Sequence, residues 1–184
     1  MKTIVRRGLV AAAAAALTST LVAAPADAQV TRVDDGADAT ASLTDIRVVR
    51  VQHSDKRLIA RVNFPDLRKK SSASMIFYID SNDARRGPEY ALGTPLFSGG
   101  DYALWRMRNW RFVGGQPVDC RYGMTYKWRR DFVEFNARRG CFNKPAELRL
   151  GLKMRDDADA SHPVTDWLKG RRKFTRWLAS GVVL

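Results

Sequence analysis

The sequence contains few of the residues from which metal sites and histidine-based active sites are built. Its 184 residues include two cysteines and two histidines. Two cysteines alone do not complete a tetrahedral zinc site, and His53 and His162 stand in no recognisable catalytic pattern. No serine has the context of a nucleophile elbow. An enzymatic interpretation therefore rests on paired carboxylates for glycan hydrolysis, for which Glu89, Asp131 and Glu134 are candidates.

Acidic residues are scarce relative to basic ones. The chain has 19 Asp and Glu against 32 Lys and Arg, a formal net charge of +13, with 45% hydrophobic residues as in ordinary globular proteins. Such a charge favours acidic partners: nucleic acid, an anionic glycan or a lipid surface. No helix-turn-helix, zinc-finger or RNA-recognition pattern is present and the charge is spread along the chain. Nucleic acid is therefore not expected as the physiological partner.

The N-terminus has the pattern of a cleavable signal peptide. Lys2, Arg6 and Arg7 precede an apolar, alanine-rich stretch over residues 8–24, and Ala28 ends an Ala-Asp-Ala triplet that suits a signal peptidase. The apolar stretch is shorter than the ~20 residues of a membrane span, which makes a membrane anchor the weaker alternative. We therefore predict that residues 1–28 are removed. The mature protein is expected to be secreted and to lack a transmembrane segment.

The mature chain is expected to consist of a short leader and one domain. Residues 29–41 are rich in Asp and Ala, show no periodicity and are predicted to be a flexible leader, followed by a single domain over residues 42–184. Cys120 and Cys141 have no other cysteine to pair with. Because exported proteins retain disulfides, we predict a bond between these two residues.

The hydrophobic pattern of the domain has the two-residue period of β-strands. It is clearest at Leu148, Leu150, Leu152 and Met154, which alternate with polar residues or glycine. Many short strands separated by Gly, Pro, Asp and Asn turns predict an all-β fold of two packed antiparallel sheets, a β-sandwich of jelly-roll type. A small β-barrel is the alternative. The predicted strands cover residues 46–51, 58–64, 75–79, 90–92, 102–113, 126–128, 131–136, 147–154 and 174–178.

Cations on the outward faces of these strands are candidates for ligand binding. They are opposite in phase to the apolar residues of their own strands, so they point away from the core and are expected to form a basic face. Arginines interleaved with tryptophans add guanidinium groups beside aromatic surface, a combination that binds sugars and phosphates. The alternative is a solvated face with the tryptophans in the core. The candidate residues are Arg57, Arg61, Arg149 and Lys153, together with Trp105, Arg106 and Arg108.

An acidic turn after the third predicted strand offers oxygen ligands for a hard cation such as calcium. The alternative is that these side chains cap the turn by bonding to local backbone, and the neighbouring Arg85 and Arg86 would repel a cation. The candidate ligands are Asp80, Asn82, Asp83 and Glu89.

Short segments distributed over residues 43–178 carry a resemblance to a known group of proteins. The segments are Asp45-Ile46-Arg47-Val48, Val62-Asn63-Phe64-Pro65-Asp66-Leu67, Phe77-Tyr78-Ile79-Asp80, Gly87-Pro88-Glu89-Tyr90, Gly140-Cys141-Phe142, Pro145 with Leu148-Arg149-Leu150, and Asp166-Trp167. Together they resemble small secreted proteins of actinobacteria. The resemblance implies secretion and a single β-sandwich, loosely similar to carbohydrate-binding and DOMON-like modules, and it transfers no catalytic residue.

Together these features predict a secreted, non-catalytic protein that needs no cofactor. Its expected task is to bind an anionic cell-envelope or extracellular polymer through a basic and aromatic face. The alternatives are a secreted hydrolase acting on glycans and a calcium-stabilised carbohydrate-binding module.

Overall fold

The fold is built from twelve β-strands in the computed structural model, which describes residues 30–181. The predicted signal peptide, residues 1–28, lies outside these residues. Two short 3-10 turns, Trp128–Arg130 and Arg139–Phe142, are the only helical elements in the described part of the chain. In chain order the strands are β1 (Val30–Asp34), β2 (Val48–His53), β3 (Arg57–Asn63), β4 (Ala73–Asp80), β5 (Tyr90–Pro95), β6 (Ala103–Arg108), β7 (Arg111–Phe112), β8 (Tyr122–Lys127), β9 (Phe132–Arg138), β10 (Glu147–Asp156), β11 (Val164–Trp167) and β12 (Leu178–Ala179).

The strands form two antiparallel sheets, which confirms the predicted β-sandwich. The five-stranded sheet has the order β1-β2-β3-β9-β8. The seven-stranded sheet has the order β11-β10-β4-β5-β6-β7, and its seventh strand, β12, also pairs with β10. Most connections join neighbouring strands of one sheet, while β3–β4, β7–β8 and β9–β10 cross between the sheets. Between Val30 and Gly181 no helix is long and apolar enough to cross a membrane.

The core lies between the two sheets and is filled by the alternate residues that the sequence pattern predicts. On β10, Leu148, Leu150 and Leu152 are fully buried. Phe77 on β4 meets Phe135 on β9 across the interface, with ring centroids 5.6 Å apart. Burying each such side chain stabilises the fold by ~1.5–3 kcal/mol. Burial of the inward residues therefore also determines which residues of each strand face outward.

The structure corrects the expectation of a flexible leader over residues 29–41. Residues Val30–Asp34 form β1, an antiparallel edge strand in register with β2, and Ala39 is buried in the main core. Only Thr31 and Val33 of β1 turn toward the interior. Two inward residues among Asp and Ala give too short a pattern to show a strand in sequence, whereas pairing with β2 satisfies the backbone.

The predicted strand over residues 102–113 is divided in two by a turn. Asn109 and Trp110 both have positive φ, 46° and 65°, between the paired residues Arg108 and Arg111. Positive φ at both central residues defines the tight hairpin turn that matches strand twist. The turn redirects Trp110 over the outer surface of the seven-stranded sheet, where it contacts Tyr78.

The predicted disulfide is confirmed. Cys120 and Cys141 are bonded, with their Cα atoms 5.6 Å apart. Cys120 lies just before β8 and Cys141 just after β9, so the bond closes one end of the β8–β9 hairpin.

Candidate functional site

The structure places the four outward cations of the sequence analysis on two different surfaces. Arg57 and Arg61 lie on β3 of the five-stranded sheet, whereas Arg149 and Lys153 lie on β10 of the other sheet. The outer faces of a sandwich point in opposite directions. These four residues therefore do not form one basic face, although each points away from the core.

Two of the four cations have acidic partners. Arg61 Nη2 is 2.7 Å from the Glu134 carboxylate on the adjacent strand β9. Arg149 Nη2 is 2.8 Å from the fully buried Asp80 carboxylate on β4. Each pair joins neighbouring strands of one sheet, so these arginines have a structural role.

Arg57, in contrast, belongs to a row of three arginines on the outer face of the five-stranded sheet. Arg57 is the cross-strand partner of Arg138 on β9, and the Arg138 backbone N–H donates to the Arg121 carbonyl at 3.0 Å. We call Arg57, Arg138 and Arg121 the arginine row. All three side chains are exposed and, with Lys56 beside them, they line a cavity of about 640 Å³ that we call the basic cavity.

The charge of the basic cavity is uncompensated. None of the described residues lining it is acidic. Within residues 30–181, the side chains of Lys56, Arg57, Arg121 and Arg138 take part in no salt bridge. Like charges placed directly opposite each other on a sheet are destabilising. An anion in the cavity would relieve this repulsion and accept the charge-assisted hydrogen bonds that guanidinium groups offer.

The floor of the basic cavity is open and includes polar groups beside Tyr122 and Met124. Gly123 on β8 pairs with Asn136 on β9, and Thr125 lies one outward position further along β8. A Cβ atom on Gly123 would meet only the Tyr102 Oη, at 3.7 Å, so the missing side chain leaves space above the sheet. Backbone, amide and hydroxyl groups thus lie beneath the four cations.

Local contacts fix the backbone that carries the cations. The Ser54 Oγ accepts hydrogen bonds from the backbone N–H groups of Lys56 and Arg57, at 3.3 and 3.1 Å. The Lys56 carbonyl in turn accepts from the Arg139 backbone N–H at 3.0 Å. At the other end of the row, the disulfide fixes the chain next to Arg121. A pre-organised backbone loses less freedom on binding than a flexible one, which favours affinity.

The aromatic residues converge on the opposite sheet. The outer aromatic cluster, defined as Tyr78, Trp110, Trp167 and Phe174, covers the outer face of β4 and its neighbours. The Tyr78 ring lies 5.0 Å from Trp110 and 5.7 Å from Trp167, and Trp110 lies 5.1 Å from Phe174. Tyr78 is 8% exposed, so this cluster forms a second small core with cationic edges.

Lys153 and Arg149 lie at the edge of the outer aromatic cluster. Lys153 Nζ is 5.8 Å from the Trp167 ring centre, and the Arg149 guanidinium is 4.8 Å from that of Phe174. Trp105, the tryptophan predicted from sequence, instead meets Phe112 at 6.4 Å. Tyr78 on β4 is far in sequence from Trp167 on β11 and from Phe174 after it. Only the register of the sheet brings these residues together.

Arg106 and Arg108 lie at a second, mixed-charge cavity. It has a volume of about 410 Å³ and is also lined by Glu89 and Asn82. The Arg106 guanidinium is 6.0 Å from the Tyr90 ring centre. Because a carboxylate shares this cavity, its cations offer less to an anion than the arginine row does.

Three of the four predicted calcium ligands, Asp80, Asn82 and Glu89, have structural partners. Asp80 is bonded to Arg149 and Asn82 Oδ1 accepts from the Ala84 backbone N–H. Glu89 accepts from the Ser81 backbone N–H at 2.8 Å, and burial raises the pKa of Glu89. In the described chain, Asp80, Asp83 and Glu89 do not form a group of carboxylates close enough to share an ion. The turn-capping alternative describes their contacts.

The residues considered for catalysis make local structural contacts. His53 is fully buried at the end of β2, where its Nδ1 lies 2.9 Å from the Leu178 carbonyl and burial lowers its pKa. His162 lies on an exposed loop beside Asp159. Asp131 Oδ1 accepts from the Leu67 backbone N–H at 2.9 Å, while Glu134 is bonded to Arg61.

Comparison of the chain with protein-family models and with curated proteins found no match.

Proposed function

We propose that this protein binds an anionic polymer of the cell envelope or the extracellular space through the basic cavity. The observation that carries the proposal is the arginine row. Arg57 and Arg138 lie opposite each other on β3 and β9, and Arg121 lies beside Arg138 just before β8. None of the three is in a salt bridge among the described residues, and Lys56 adds a fourth positive charge. Guanidinium forks match the oxygens of phosphodiesters and carboxylates.

A polymer fits the cavity better than a small enclosed ligand. The cavity lies on the outer face of a sheet, and all four cations are exposed. An open site of this kind contacts a repeating charged chain from one side and leaves both chain directions free. The predicted secretion, which the disulfide supports, would bring the site to envelope phosphodiesters and carboxylated glycans.

The proposal assigns the binding to cations rather than to a combined basic and aromatic face. The outer aromatic cluster lies on the other sheet, and its rings contact one another. Arg57 alone of the seven binding residues predicted from sequence lines the basic cavity, while Arg121 and Arg138 are added by the register of β8 and β9.

The test compares two triple variants that remove the same charge. The first variant removes the positive charge of the arginine row and carries Arg57→Gln, Arg121→Gln and Arg138→Gln. The second, Arg86→Gln, Arg111→Gln and Arg129→Gln, removes three exposed arginines outside the cavity and is the matched control. Retention is measured on immobilised polyphosphate, polygalacturonate and neutral dextran, at about 50 mM and about 500 mM salt.

We expect the row variant to lose at least ~10-fold in affinity for the charged polymers, because each lost contact is a charge-assisted hydrogen bond. The control variant should lose much less, and neutral dextran should not retain the wild type. The difference between polyphosphate and polygalacturonate reports which anion the cavity prefers. Equal losses in both variants, or no retention at low salt, would refute the proposal.

A further inference from the structure

Three aspartates from distant parts of the chain meet beside the edge of the sandwich. Asp35 and Asp38 lie in the loop after β1, and Asp166 lies on β11. One carboxylate oxygen of each lies within 4.8 Å of the other two. The Asp35 Oδ1 accepts from the Lys169 backbone N–H at 3.2 Å, which joins the loop to the turn that follows β11. We call these three residues the aspartate cluster.

Two buried oxygens of the aspartate cluster have no hydrogen-bond donor among the described residues. Asp166 is 3% exposed, and its Oδ2 accepts from the Ile46 backbone N–H at 2.7 Å, but its Oδ1 has no partner among the described residues. The Asp35 Oδ2 is likewise buried without a partner. A buried carboxylate oxygen without a donor is costly, and native structures resolve such a group with water or an ion.

The surroundings of the aspartate cluster add negative charge. Asp45 is fully buried, and its one ion-pair contact in the described chain is Arg47 Nε at 3.1 Å. Burial, with the charges of Asp38, Asp35 and Asp45, raises the pKa of Asp166 to about 7. The nearby cations are Arg47, which is paired with Asp45, and Lys169, whose charge opposes in part the rise that burial causes in the pKa of Asp35. Four aspartates thus lie near two cations, one of which is already paired with Asp45.

We propose that Asp35, Asp38 and Asp166 bind one calcium ion. Oxygen ligands at 2.3–2.6 Å on opposite sides of one Ca²⁺ lie up to ~5 Å apart, which fits the 4.8 Å limit on the three oxygens. Calcium accepts irregular sets of carboxylate, carbonyl and water oxygens, whereas zinc sites of proteins use mainly cysteine and histidine. The cluster offers only oxygen.

This site would connect the two sheets. β1 is the edge strand of one sheet and β11 is the edge strand of the other. An ion held by the loop after β1 and by β11 joins these edges on one side of the sandwich. The predicted role of the ion is therefore to stabilise the fold and to fix the N-terminal segment, independently of the basic cavity.

The experiment measures calcium binding to the chelator-treated protein by titration calorimetry and by thermal unfolding. We expect one ion per chain. Extracellular calcium modules bind with Kd values of ~0.1 mM or weaker. For a site of ~0.1 mM, about 10 mM Ca²⁺ raises the melting temperature by ~5–10 °C, and the same concentration of Mg²⁺ does so much less.

Three single variants locate the ion. Asp166→Asn removes the buried ligand, Asp38→Asn removes an exposed ligand whose loss leaves the core intact, and Asp83→Asn in the acidic turn is the control. We expect the first two to weaken calcium binding at least ~10-fold and the control to bind as the wild type does. If Asp166→Asn does not fold, Asp38→Asn still decides the question.

Two results would overturn the proposal. One is a wild-type protein that shows neither heat of binding nor a rise in melting temperature with Ca²⁺. The other is calcium binding that Asp38→Asn and Asp166→Asn leave unchanged, because the ion would then lie elsewhere.

Discussion

Arg138 and Arg139 are neighbours in sequence with opposite roles. The Arg139 guanidinium donates two hydrogen bonds to the Pro145 carbonyl, at 2.9 and 2.7 Å, and so fixes the turn after β9. Arg138 points to the outer face, opposite Arg57, where it lines the basic cavity. Arg138 is the last residue of β9 and Arg139 is the first residue of the following 3-10 turn, and this difference in position separates the ligand-facing residue from the structural one.

The first prediction separates these two roles. Arg138→Gln removes a like-charge cross-strand pair, so we expect the free energy of unfolding without ligand to stay the same or to rise by up to ~1 kcal/mol, while affinity for polyphosphate falls. Arg139→Gln loses hydrogen bonds to a carbonyl and should destabilise the protein by ~1–3 kcal/mol. Urea unfolding and binding isotherms of both variants provide the measurement. Loss of stability in Arg138→Gln with unchanged affinity would contradict it.

The second prediction concerns the pH dependence that Asp166 imposes. Its pKa is raised to about 7 in the folded protein, from 3.8 when unperturbed. Between these values the folded state holds a proton that the unfolded state has lost. The free energy of unfolding therefore decreases as the pH rises toward 7, by up to ~1.4 kcal/mol per pH unit.

Asp166→Asn isolates this effect, since other carboxylates also titrate in the same range. In chelator, the difference in the free energy of unfolding between variant and wild type should grow in favour of the variant from pH 5 to pH 8. Chemical unfolding at several pH values measures it. A difference that is independent of pH would show that Asp166 titrates normally.

At the scale of elements, the disulfide and the basic cavity are coupled. The bond between Cys120 and Cys141 closes the end of the β8–β9 hairpin at which Arg121 and Arg138 lie side by side. Without it, the segment before β8 is held there by fewer constraints. The spacing of the arginine row would then vary.

The third prediction follows from this coupling. A Cys120→Ala, Cys141→Ala variant should lose ~3 kcal/mol in the free energy of unfolding, as expected for closing a loop of this size. It should also bind polyphosphate several-fold more weakly under conditions in which it remains folded. Urea unfolding and binding isotherms, with reduced wild type as the second sample, give both values. Unchanged affinity would show that the row is held without the bond.

The fourth prediction concerns the segment around Lys173 and Phe174, which covers the outer face of the seven-stranded sheet. A Cβ atom on Gly151 of β10 would lie 2.9 Å from the Lys173 carbonyl oxygen, a backbone atom that cannot yield easily. Gly93 on β5 also faces outward, yet a Cβ there would meet nothing within 4 Å. Gly151→Ala should therefore destabilise the protein by ~1–3 kcal/mol, whereas Gly93→Ala should be neutral or slightly stabilising. Urea unfolding of both variants checks this, and equal effects would contradict it.

A strand could be predicted from the sequence to the degree that apolar and polar residues alternate along it. β3 and β10 have long two-residue patterns and formed as predicted. β11, in contrast, has only four residues, of which Asp166 alone is buried, so its inward position carries no apolar signal. β1 was missed for a related reason, because pairing rather than burial stabilises it.

At the scale of the whole molecule, the sequence predicted which face of its strand each residue occupies, but it did not predict which sheet each strand joins. The period of two shows that Arg57 and Arg149 point outward, yet it contains nothing about which sheet each strand joins. The arginine row requires the register of β3 with β9 and of β9 with β8. The aspartate cluster likewise requires contacts between residues more than a hundred positions apart.

The net charge of +13 acts together with the arginine row. Distributed charge attracts polyanions from a distance and is screened by salt, while the row offers short-range hydrogen bonds that salt weakens less. Binding that persists at high salt would therefore report the cavity, and binding lost at moderate salt would report the overall charge.

The most direct test of the basic cavity is an NMR titration of the isotope-labelled protein with tripolyphosphate. If the cavity is the binding site, amide shifts will change first at Lys56, Arg57, Gly123 and Arg138, and the outer aromatic cluster on the opposite sheet will remain unchanged. Small changes spread over the arginines of both sheets, without a focus at these amides, would show that the protein attracts anions through its total charge and has no specific site.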